Sequence, residues 1–205
     1  MADRRYPVPA ATHRVEETIQ RSRFITTVGR ASTPEEARVF IDTVRAEFPD
    51  ATHNCWAYVA GPPGSTAHIG MSDDGEPHGT AGKPMLTTLL HSGLGEIAAV
   101  CTRYFGGVKL GTGGLSRAYS GGVKLALESL PTEERVERTT ASVAVDYGHV
   151  DALHRLLDSL DAVVEEKDYG ARVTYRCQVP VEALEDLRRG VADISGGTGE
   201  VTEPE

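Results

Sequence analysis

The sequence predicts a two-domain protein in which an N-terminal domain of the α/β class is followed by a smaller α+β domain. The chain has 205 residues, of which 40% are apolar and 25% charged, a composition typical of globular proteins. A polar segment at residues 131–138 interrupts the hydrophobic periodicity, which then starts again. The elements after that segment follow the order βαββαβ, the ferredoxin-like split unit. We therefore predict one domain at residues 1–132 and a second at residues 138–205.

The first half of the N-terminal domain has the pattern of strands around one helix. Residues 13–31 mix β-branched and aromatic residues with polar ones, which predicts two strands separated near residues 20–22. A hydroxyl cap, a proline and two acidic residues at 32–36 begin a helix that is expected to run to about residue 48. Further strands are predicted at residues 54–61 and 68–72.

The second half of this domain contains two helices and one long strand. A short helix is predicted over residues 83–93, and residues 96–105 form the strand with the most buried pattern. After a loop at 106–114 we predict a helix over 112–130, whose first residue, a threonine, is its N-cap. Two adjacent glycines inside that helix cost roughly 1 kcal/mol each relative to alanine, which indicates a close packing partner.

The C-terminal elements follow from the same two periodicities, 3.6 residues for a helix and 2 for a strand. The predicted order is a strand at 139–147, a helix at 150–160, a hairpin of strands at 162–168 and 171–179, a helix at 181–191 and a last strand at 199–202.

Composition argues against several classes of protein. No apolar run approaches the length of a membrane span, and the first ten residues lack the apolar core of a signal peptide, so we expect no membrane partner and a cytoplasmic location. Cys55, Cys101 and Cys177 lie in strand-like runs and are expected to be buried free thiols. Because no Cys/His cluster has metal-ligand spacing, neither a metal nor a cofactor is predicted.

Charge is distributed unevenly along the chain. Residues 1–130 hold 13 Lys and Arg against 13 Asp and Glu, whereas residues 131–205 hold 8 against 17. Within residues 79–127 there are five basic residues and a single acidic one. The net charge of −9 argues against non-specific adhesion to nucleic acid, while the local excess of +4 allows a specific phosphate contact.

Residues 71–122 contain twelve of the 22 glycines, mostly where a periodic segment starts or stops. The loop at 106–115 runs from a buried strand into a helix, so its backbone N–H groups can hold an anion. It lacks the lysine of a phosphate loop and the third glycine of a dinucleotide fingerprint, which disfavours both kinds of nucleotide site. A role in shaping the turn is the equally weighted alternative.

Three carboxylates, Asp73, Asp74 and Glu76, precede this loop in the sequence and could bind a cation or act as acid and base. A structural use is favoured over catalysis, with Asp74 capping a turn and Asp73 pairing with Arg103. His53 lies two residues before Cys55, which would place both side chains on one face of a strand. A Cys–His nucleophile pair is conceivable there, but an ordinary buried cysteine is favoured because no orienting acid is evident.

Four segments resemble the YigZ/IMPACT family in its bacterial two-domain form. They are ATHNCWAY at residues 51–58, SDDGEP at 72–77, GTAGKPML at 79–86 and RYFGGVKLGTGGLSRAY at 103–119. The resemblance implies that the N-terminal, IMPACT-type domain is similar to the second domain of small-ribosomal-subunit protein five. It also implies that the C-terminal domain is similar to the last, ferredoxin-like domain of the translocating elongation factor. Eukaryotic relatives act in translational control under amino-acid stress by binding a ribosome-associated activator of a kinase.

From these observations we predict a non-catalytic, translation-linked regulatory protein that binds RNA, the ribosome or a ribosome-associated protein. A small-ligand-binding protein or enzyme that uses the carboxylates is the first alternative. An interaction module whose acidic C-terminal domain blocks or mimics nucleic acid is the second. The candidate binding residues are His53, Asp73, Asp74, Glu76, Lys83, Arg103, Gly106, Gly107, Lys109, Gly111, Gly113, Gly114 and Arg117.

Overall fold

The computed structural model describes residues 5–203 and separates the chain into two compact units, the first ending at Arg135 and the second beginning at Val136. Both units combine helices with β-sheet, and each has its own apolar core. The predicted fold class, a two-domain protein of mixed helix and sheet, is confirmed.

Apart from its first and last strands, the first unit follows the predicted order of elements. The elements are β1 (Arg5–Pro9), β2 (His13–Ile19), β3 (Ser22–Arg30), α1 (Pro34–Glu47), β4 (His53–Val59), β5 (Ile69–Ser72), α2 (Gly82–Leu90), β6 (Ile97–Tyr104), α3 (Gly111–Glu128) and β7 (Thr132–Val136).

Five of these strands form one antiparallel sheet in the order β2-β3-β6-β4-β5. The strand predicted as most buried, β6, is its middle strand. Residues along β6 alternate between the two faces, so Ile97, Ala99 and Cys101 pack towards α2 and α3 while Ala98 and Val100 pack towards α1. The sheet is therefore covered by helices on both sides.

The start of α1 confirms the predicted capping residues. The Thr33 hydroxyl accepts a hydrogen bond from the Glu36 N–H at 3.1 Å, and the Glu36 carboxylate accepts one from the Ser32 N–H at 2.7 Å. This arrangement is similar to a capping box, except that the Glu36 carboxylate reaches Ser32, the residue before the N-cap Thr33.

The prediction of a polar linker at residues 131–138 is wrong in one respect, because residues 132–136 form β7, which pairs with β1. Strand β1 was not predicted at all. Its Tyr6 and Val8 are buried, and Tyr6 donates a hydrogen bond to the buried Glu96 carboxylate at 3.0 Å. Arg135 of β7 contacts the same carboxylate at 2.7 Å. Strands β1 and β7 are thus both held to the first unit by contacts with the buried Glu96 carboxylate.

The predicted N-cap of α3 is also wrong. The helix begins one residue earlier, at Gly111, and Thr112 lies inside its first turn. Gly111 has a φ of +73°, a conformation that glycine adopts without steric cost, and the chain turns into the helix there. Further along α3, a Cβ atom at Gly122 would lie 2.5 Å from the Thr26 Oγ1 atom, so the predicted close packing partner is present at this glycine.

The second unit confirms the predicted βαββαβ order. Its elements are β8 (Arg138–Val145), α4 (Val150–Ser159), β9 (Val163–Tyr169), β10 (Val173–Pro180), α5 (Leu184–Ser195) and β11 (Glu200–Thr202). The strands form an antiparallel sheet in the order β11-β8-β10-β9, and both helices pack on one face through Leu153, Leu157 and Leu187. None of the helices in residues 5–203 combines the length and apolarity that a membrane crossing requires.

Candidate functional site

The end of β6 places three side chains in one row across the sheet. Arg103 lies opposite Phe24 of β3 on one side and opposite His53 of β4 on the other. Directly paired residues in neighbouring strands point to the same face, and this row continues the α2/α3 side of β6. The start of α3 therefore faces a charged and aromatic row.

Arg103 forms a buried ion pair with Glu76 at the centre of this row. Its Nη1 atom lies 2.6 Å from the Glu76 Oε1 atom, and the two side chains are only 5% and 3% exposed. The Tyr119 hydroxyl donates to the same carboxylate oxygen at 2.7 Å, and Arg103 Nη2 donates to the Ser22 hydroxyl at 3.2 Å. The suggested pairing of Arg103 with Asp73 is wrong. Arg103 is a buried residue beneath the surface and does not present an exposed charge.

The guanidinium group of Arg103 also lies between two aromatic rings. Its Cζ atom is 5.4 Å from the centroid of Phe24 and 5.5 Å from that of Phe105, within the range of a cation–π contact. Phe24 is fully buried, whereas Phe105 is 47% exposed. The backbone N–H of Phe105 donates to the Thr52 hydroxyl at 3.1 Å. A stack of ring, guanidinium and ring thus extends from the core to the surface.

A cavity of about 460 Å³ opens beside this stack. Its wall combines the charged row, the exposed aromatic ring and the loop that leads into α3. The lining residues are Thr52, His53, Gly75, Glu76, Pro77, Arg103, Phe105, Lys109, Leu110, Gly111, Thr112 and Leu115. We call this space the α3 cavity.

The start of α3 brings free backbone donors to this cavity. The first turn has no side-chain cap and no acidic residue. Uncapped N–H groups together with the helix dipole amount to about half a positive charge, and the exposed Lys109 adds a full one. Gly106 packs so closely against the Arg21 backbone that a side chain would overlap it, and Gly107 has a φ of +82°. These two glycines shape the loop.

The carboxylates before the loop have structural contacts. Asp73 accepts hydrogen bonds from the N–H groups of Gly79, Ala81 and Gly82 at 2.7 to 3.0 Å. Burial alone would raise the pKa of Asp73, but these three donors outweigh it and lower the pKa below its usual value. Asp73 therefore secures the start of α2.

Asp74 and the neighbouring His53 and Cys55 join this segment to β4. Asp74 Oδ2 accepts the Asn54 N–H at 2.6 Å, and the Asp74 carbonyl contacts His53 Nδ1 at 2.8 Å. The Cys55 thiol donates to the Asp73 carbonyl at 2.9 Å, and burial raises the pKa of this thiol. A thiol held protonated in the core is a poor nucleophile, which supports the interpretation of Cys55 as an ordinary buried cysteine.

The structure unites only part of the predicted site. His53, Glu76, Arg103, Lys109 and Gly111 line the α3 cavity.

The remaining basic candidates lie in other depressions of the surface. Lys83 of α2 lines a groove of about 590 Å³ together with His91, at the end of the same helix, and Lys124 of α3. Arg117 lines a depression of about 210 Å³ together with Glu17 and Gly114. Gly113 lies in the first turn of α3 and is exposed. The predicted single basic surface is thus divided among three depressions.

The sequence allows two uses for Phe105, stacking on a base or packing in the core, and favours the core, whereas the structure places this residue at the surface. A signal was present, because Phe105 is followed at once by two glycines and stands after the last residue of β6. An apolar residue beyond the end of a strand, next to a glycine-rich loop, is no longer covered by the helices that pack on the sheet. In residues 5–203 no three His, Cys, Asp or Glu side chains are grouped so that they could hold a metal ion.

Comparison with known proteins gives matches to both units. A family model described as the Impact N-terminal domain matches residues 20–127, and one described as a domain of unknown function (DUF1949) matches residues 143–198. The chain is 44% identical over 191 residues to the IMPACT family member YigZ of Escherichia coli (strain K12), covering 93% of this chain and 94% of that protein.

Two further comparisons agree with these matches. The IMPACT family member YvyE of Bacillus subtilis (strain 168) is 36% identical over 191 residues, covering 93% of this chain and 87% of the relative. A solved structure described as the crystal structure of a hypothetical protein has a TM-score of 0.70 and 42% identity, covering 100% of this chain and 98% of that one.

Proposed function

This chain belongs to the IMPACT family, and from that premise we propose that it is a non-catalytic regulatory protein linked to translation. In this proposal the protein binds RNA, the ribosome or a ribosome-associated protein by placing a phosphate or carboxylate of the partner in the α3 cavity. Family membership fits a regulatory, translation-linked role. The proposal needs no metal or cofactor, and it requires the cytoplasmic location that the sequence predicts.

The observation that carries the proposal is the meeting of an uncapped helix start and an exposed cation at one cavity. The first turn of α3 has neither a capping side chain nor an acid, and Lys109 stands two residues before Gly111, where the helix begins. Within the cavity the one carboxylate, Glu76, is paired with Arg103, so it does not oppose an incoming anion with an unbalanced charge. The net field at the helix start therefore favours a negatively charged group.

The alternative, an enzyme or small-ligand binder using Asp73, Asp74 and Glu76, has less support. Asp73 accepts three backbone N–H groups, and Asp74 accepts the Asn54 N–H. Glu76 is 3% exposed and paired with Arg103. Groups that act as general acid or base must reach the substrate, and all three carboxylates are engaged within the protein.

A pair of charge reversals tests the proposal. Lys109→Glu changes the α3 cavity, and Lys83→Glu makes the same charge change in a different groove. We would measure binding to ribosomes by cosedimentation, and to single-stranded RNA by fluorescence anisotropy, at two salt concentrations. Lys109→Glu is expected to weaken binding and to reduce the salt slope by about one, because one phosphate contact is lost.

Thermal unfolding of both variants is the control for folding. An exposed loop charge contributes little to stability, so neither reversal should shift the unfolding temperature much. Unchanged affinity and salt slope for Lys109→Glu would rule out the cavity as the anion site. Equal weakening by both reversals would instead indicate diffuse attraction to the basic side of the domain.

A further inference from the structure

We propose that the α3 cavity binds one nucleotide of a single-stranded RNA, with the base stacked on the exposed face of Phe105 and the phosphate held at the start of α3 with Lys109. This inference rests on the proposed function and deepens it, because it names the ligand as a flat ring joined to a phosphate. A bare anion or a duplex would use only part of the site.

One part of the cavity lining is the exposed aromatic ring of Phe105. Phe105 is 47% exposed although it belongs to the most hydrophobic class of side chains, and it lines the cavity. Its ring lies over the guanidinium of Arg103, and that group is fixed by the Glu76 carboxylate and the Ser22 hydroxyl. The ring is therefore held in place before a ligand arrives, which reduces the entropy lost on binding. An exposed, fixed aromatic ring is the kind of platform on which nucleic-acid bases stack.

A second part of the cavity lining is suited to an anion. Lys109, Gly111 and Thr112 line the same cavity as Phe105, and the first turn of α3 has no side-chain cap. Its free N–H groups are suited to phosphate oxygens. The cavity volume of about 460 Å³ lies within the range of roughly 300–1,000 Å³ that is usual for small-ligand sites. One pocket thus offers an apolar platform and an anion-binding end.

A third part of the cavity lining is Arg103, whose side chain is 5% exposed. Its Nε atom is buried and has no hydrogen-bond partner. Buried donors are normally satisfied, so this unpaired guanidinium donor beside the cavity marks a place where the fold leaves hydrogen-bonding capacity unused. This observation does not depend on the helix start or on Lys109.

The ring of Phe105 selects the form of the nucleic acid. In a duplex each base is covered by its neighbours, so its flat face cannot reach Phe105. A splayed base in a single-stranded segment can stack on an aromatic side chain while its backbone contacts cations. The same argument separates RNA from an acidic peptide, whose carboxylates would use the helix start without the ring.

The experiment uses two probes that both carry phosphate groups, of which only one carries bases. A labelled single-stranded adenylate hexamer tests the complete site, and inorganic tripolyphosphate tests the anion end alone. Both are titrated into the full-length protein and into Phe105→Ala, Phe105→Tyr and Lys109→Glu. Val39→Ala is the matched control, because Val39 is 66% exposed and lies on α1, on the other face of the sheet.

The expected results differ between the variants. Phe105→Ala should lower affinity for the hexamer roughly 5- to 150-fold, the range found for loss of one stacked base, and should leave tripolyphosphate binding unchanged. Val39→Ala should bind the hexamer as the unchanged protein does, and Phe105→Tyr, which keeps an aromatic ring, should bind it more tightly than Phe105→Ala. Lys109→Glu should weaken both probes. If Phe105→Ala does not fold, Phe105→Leu keeps the apolar volume without the ring and takes its place.

Three outcomes would overturn the inference, and they can be told apart. If hexamer affinity depends on Lys109 but is equal in Phe105→Ala, the stacked base is wrong and the anion site of the proposed function stands. If neither probe binds the unchanged protein, both the stacked nucleotide and the anion cavity are wrong. Equal binding of a duplex and the single strand would also reject the stacked base.

Discussion

Replacing Arg103 by methionine should destabilise the first unit strongly. The change removes the partner 2.6 Å from Glu76 and leaves that carboxylate in a side chain that is 3% exposed. The Tyr119 hydroxyl at 2.7 Å then remains as its closest donor. A buried charge without a counter-ion is costly because the low-dielectric interior cannot replace the water that it has lost.

The expected magnitude follows from this burial. Removing one partner of a buried ion pair costs about 3–5 kcal/mol in the free energy of unfolding. The double variant Glu76→Leu with Arg103→Met should recover part of this loss, since two apolar side chains can replace a buried pair at little cost. The Tyr119 hydroxyl would lose its acceptor, which costs about 1–3 kcal/mol, so we expect the double variant to remain below the unchanged protein by that amount.

The assay is urea unfolding followed by tryptophan fluorescence. Trp56, the single tryptophan of the chain, lies on β4 in the same sheet as Arg103, so its emission reports on the first unit. Arg45→Met is the matched control, because Arg45 pairs with Asp74 at 3.2 Å while its side chain is 45% exposed. An exposed pair of this kind contributes less than about 1 kcal/mol.

The two arginine variants together test whether burial makes the Arg103–Glu76 pair important for stability. If Arg103→Met costs no more than Arg45→Met, the Arg103–Glu76 pair does not carry the stability that its burial implies. If the double variant is less stable than Arg103→Met alone, the loss does not arise from an unpaired Glu76. Either result would refute the reasoning from burial.

Three further predictions concern other parts of the first unit. Gly122→Ala should destabilise the protein by about 1–3 kcal/mol, because the new Cβ atom would overlap Thr26. Gly121→Ala has open space at its Cβ atom and should stabilise the helix by about 0.5–1 kcal/mol. Urea unfolding measures both changes, and equal stability of the two variants would show that packing at Gly122 is loose. Asp73→Asn should cost about 1–3 kcal/mol at pH 7. Hydrogen-bond donors to the Asp73 carboxylate lower its pKa from the usual 3.8, so the carboxylate stabilises the fold above that pH and less as the pH falls further. The unfolding free energies of Asp73→Asn and the unchanged protein should therefore converge in acid. A difference that stays constant with pH would contradict this. Val8→Asp should unpair β1 and make residues 132–136 sensitive to trypsin, and an unchanged digestion pattern would show that β7 does not depend on β1.

The elements that sequence reasoning predicted correctly are those whose signal is local. The capping residues of α1 lie within five consecutive positions, and the apolar run of β6 identifies the middle strand without knowledge of its neighbours. The order βαββαβ follows from the succession of periodicities in the second unit. In each case the residues that decide the structure are neighbours in the chain.

Structures that depend on distant partners were not predictable in this way. Arg5 of β1 and Glu134 of β7 are 129 positions apart, and each strand is short. The acidic residues of β7 suggest a solvated linker, whereas the pairing of β7 with β1 and the contact of Arg135 with the buried Glu96 show that the segment is fixed. The separation of Lys83 and Arg117 from Lys109 likewise depends on how α2 and α3 pack, which no local pattern specifies.

The two cations at the α3 cavity show why the site itself was only partly predictable. Arg103 and Lys109 look alike in the sequence, since both are basic residues within the glycine-rich stretch that runs from the end of β6 to the start of α3. In the fold one is buried in an ion pair and holds an aromatic ring, while the other is exposed beside a helix start. Substitution of Arg103 should therefore alter stability first, and substitution of Lys109 should alter binding first. A binding defect at Lys109 without loss of stability would separate the chemistry of the cavity from the packing that builds it.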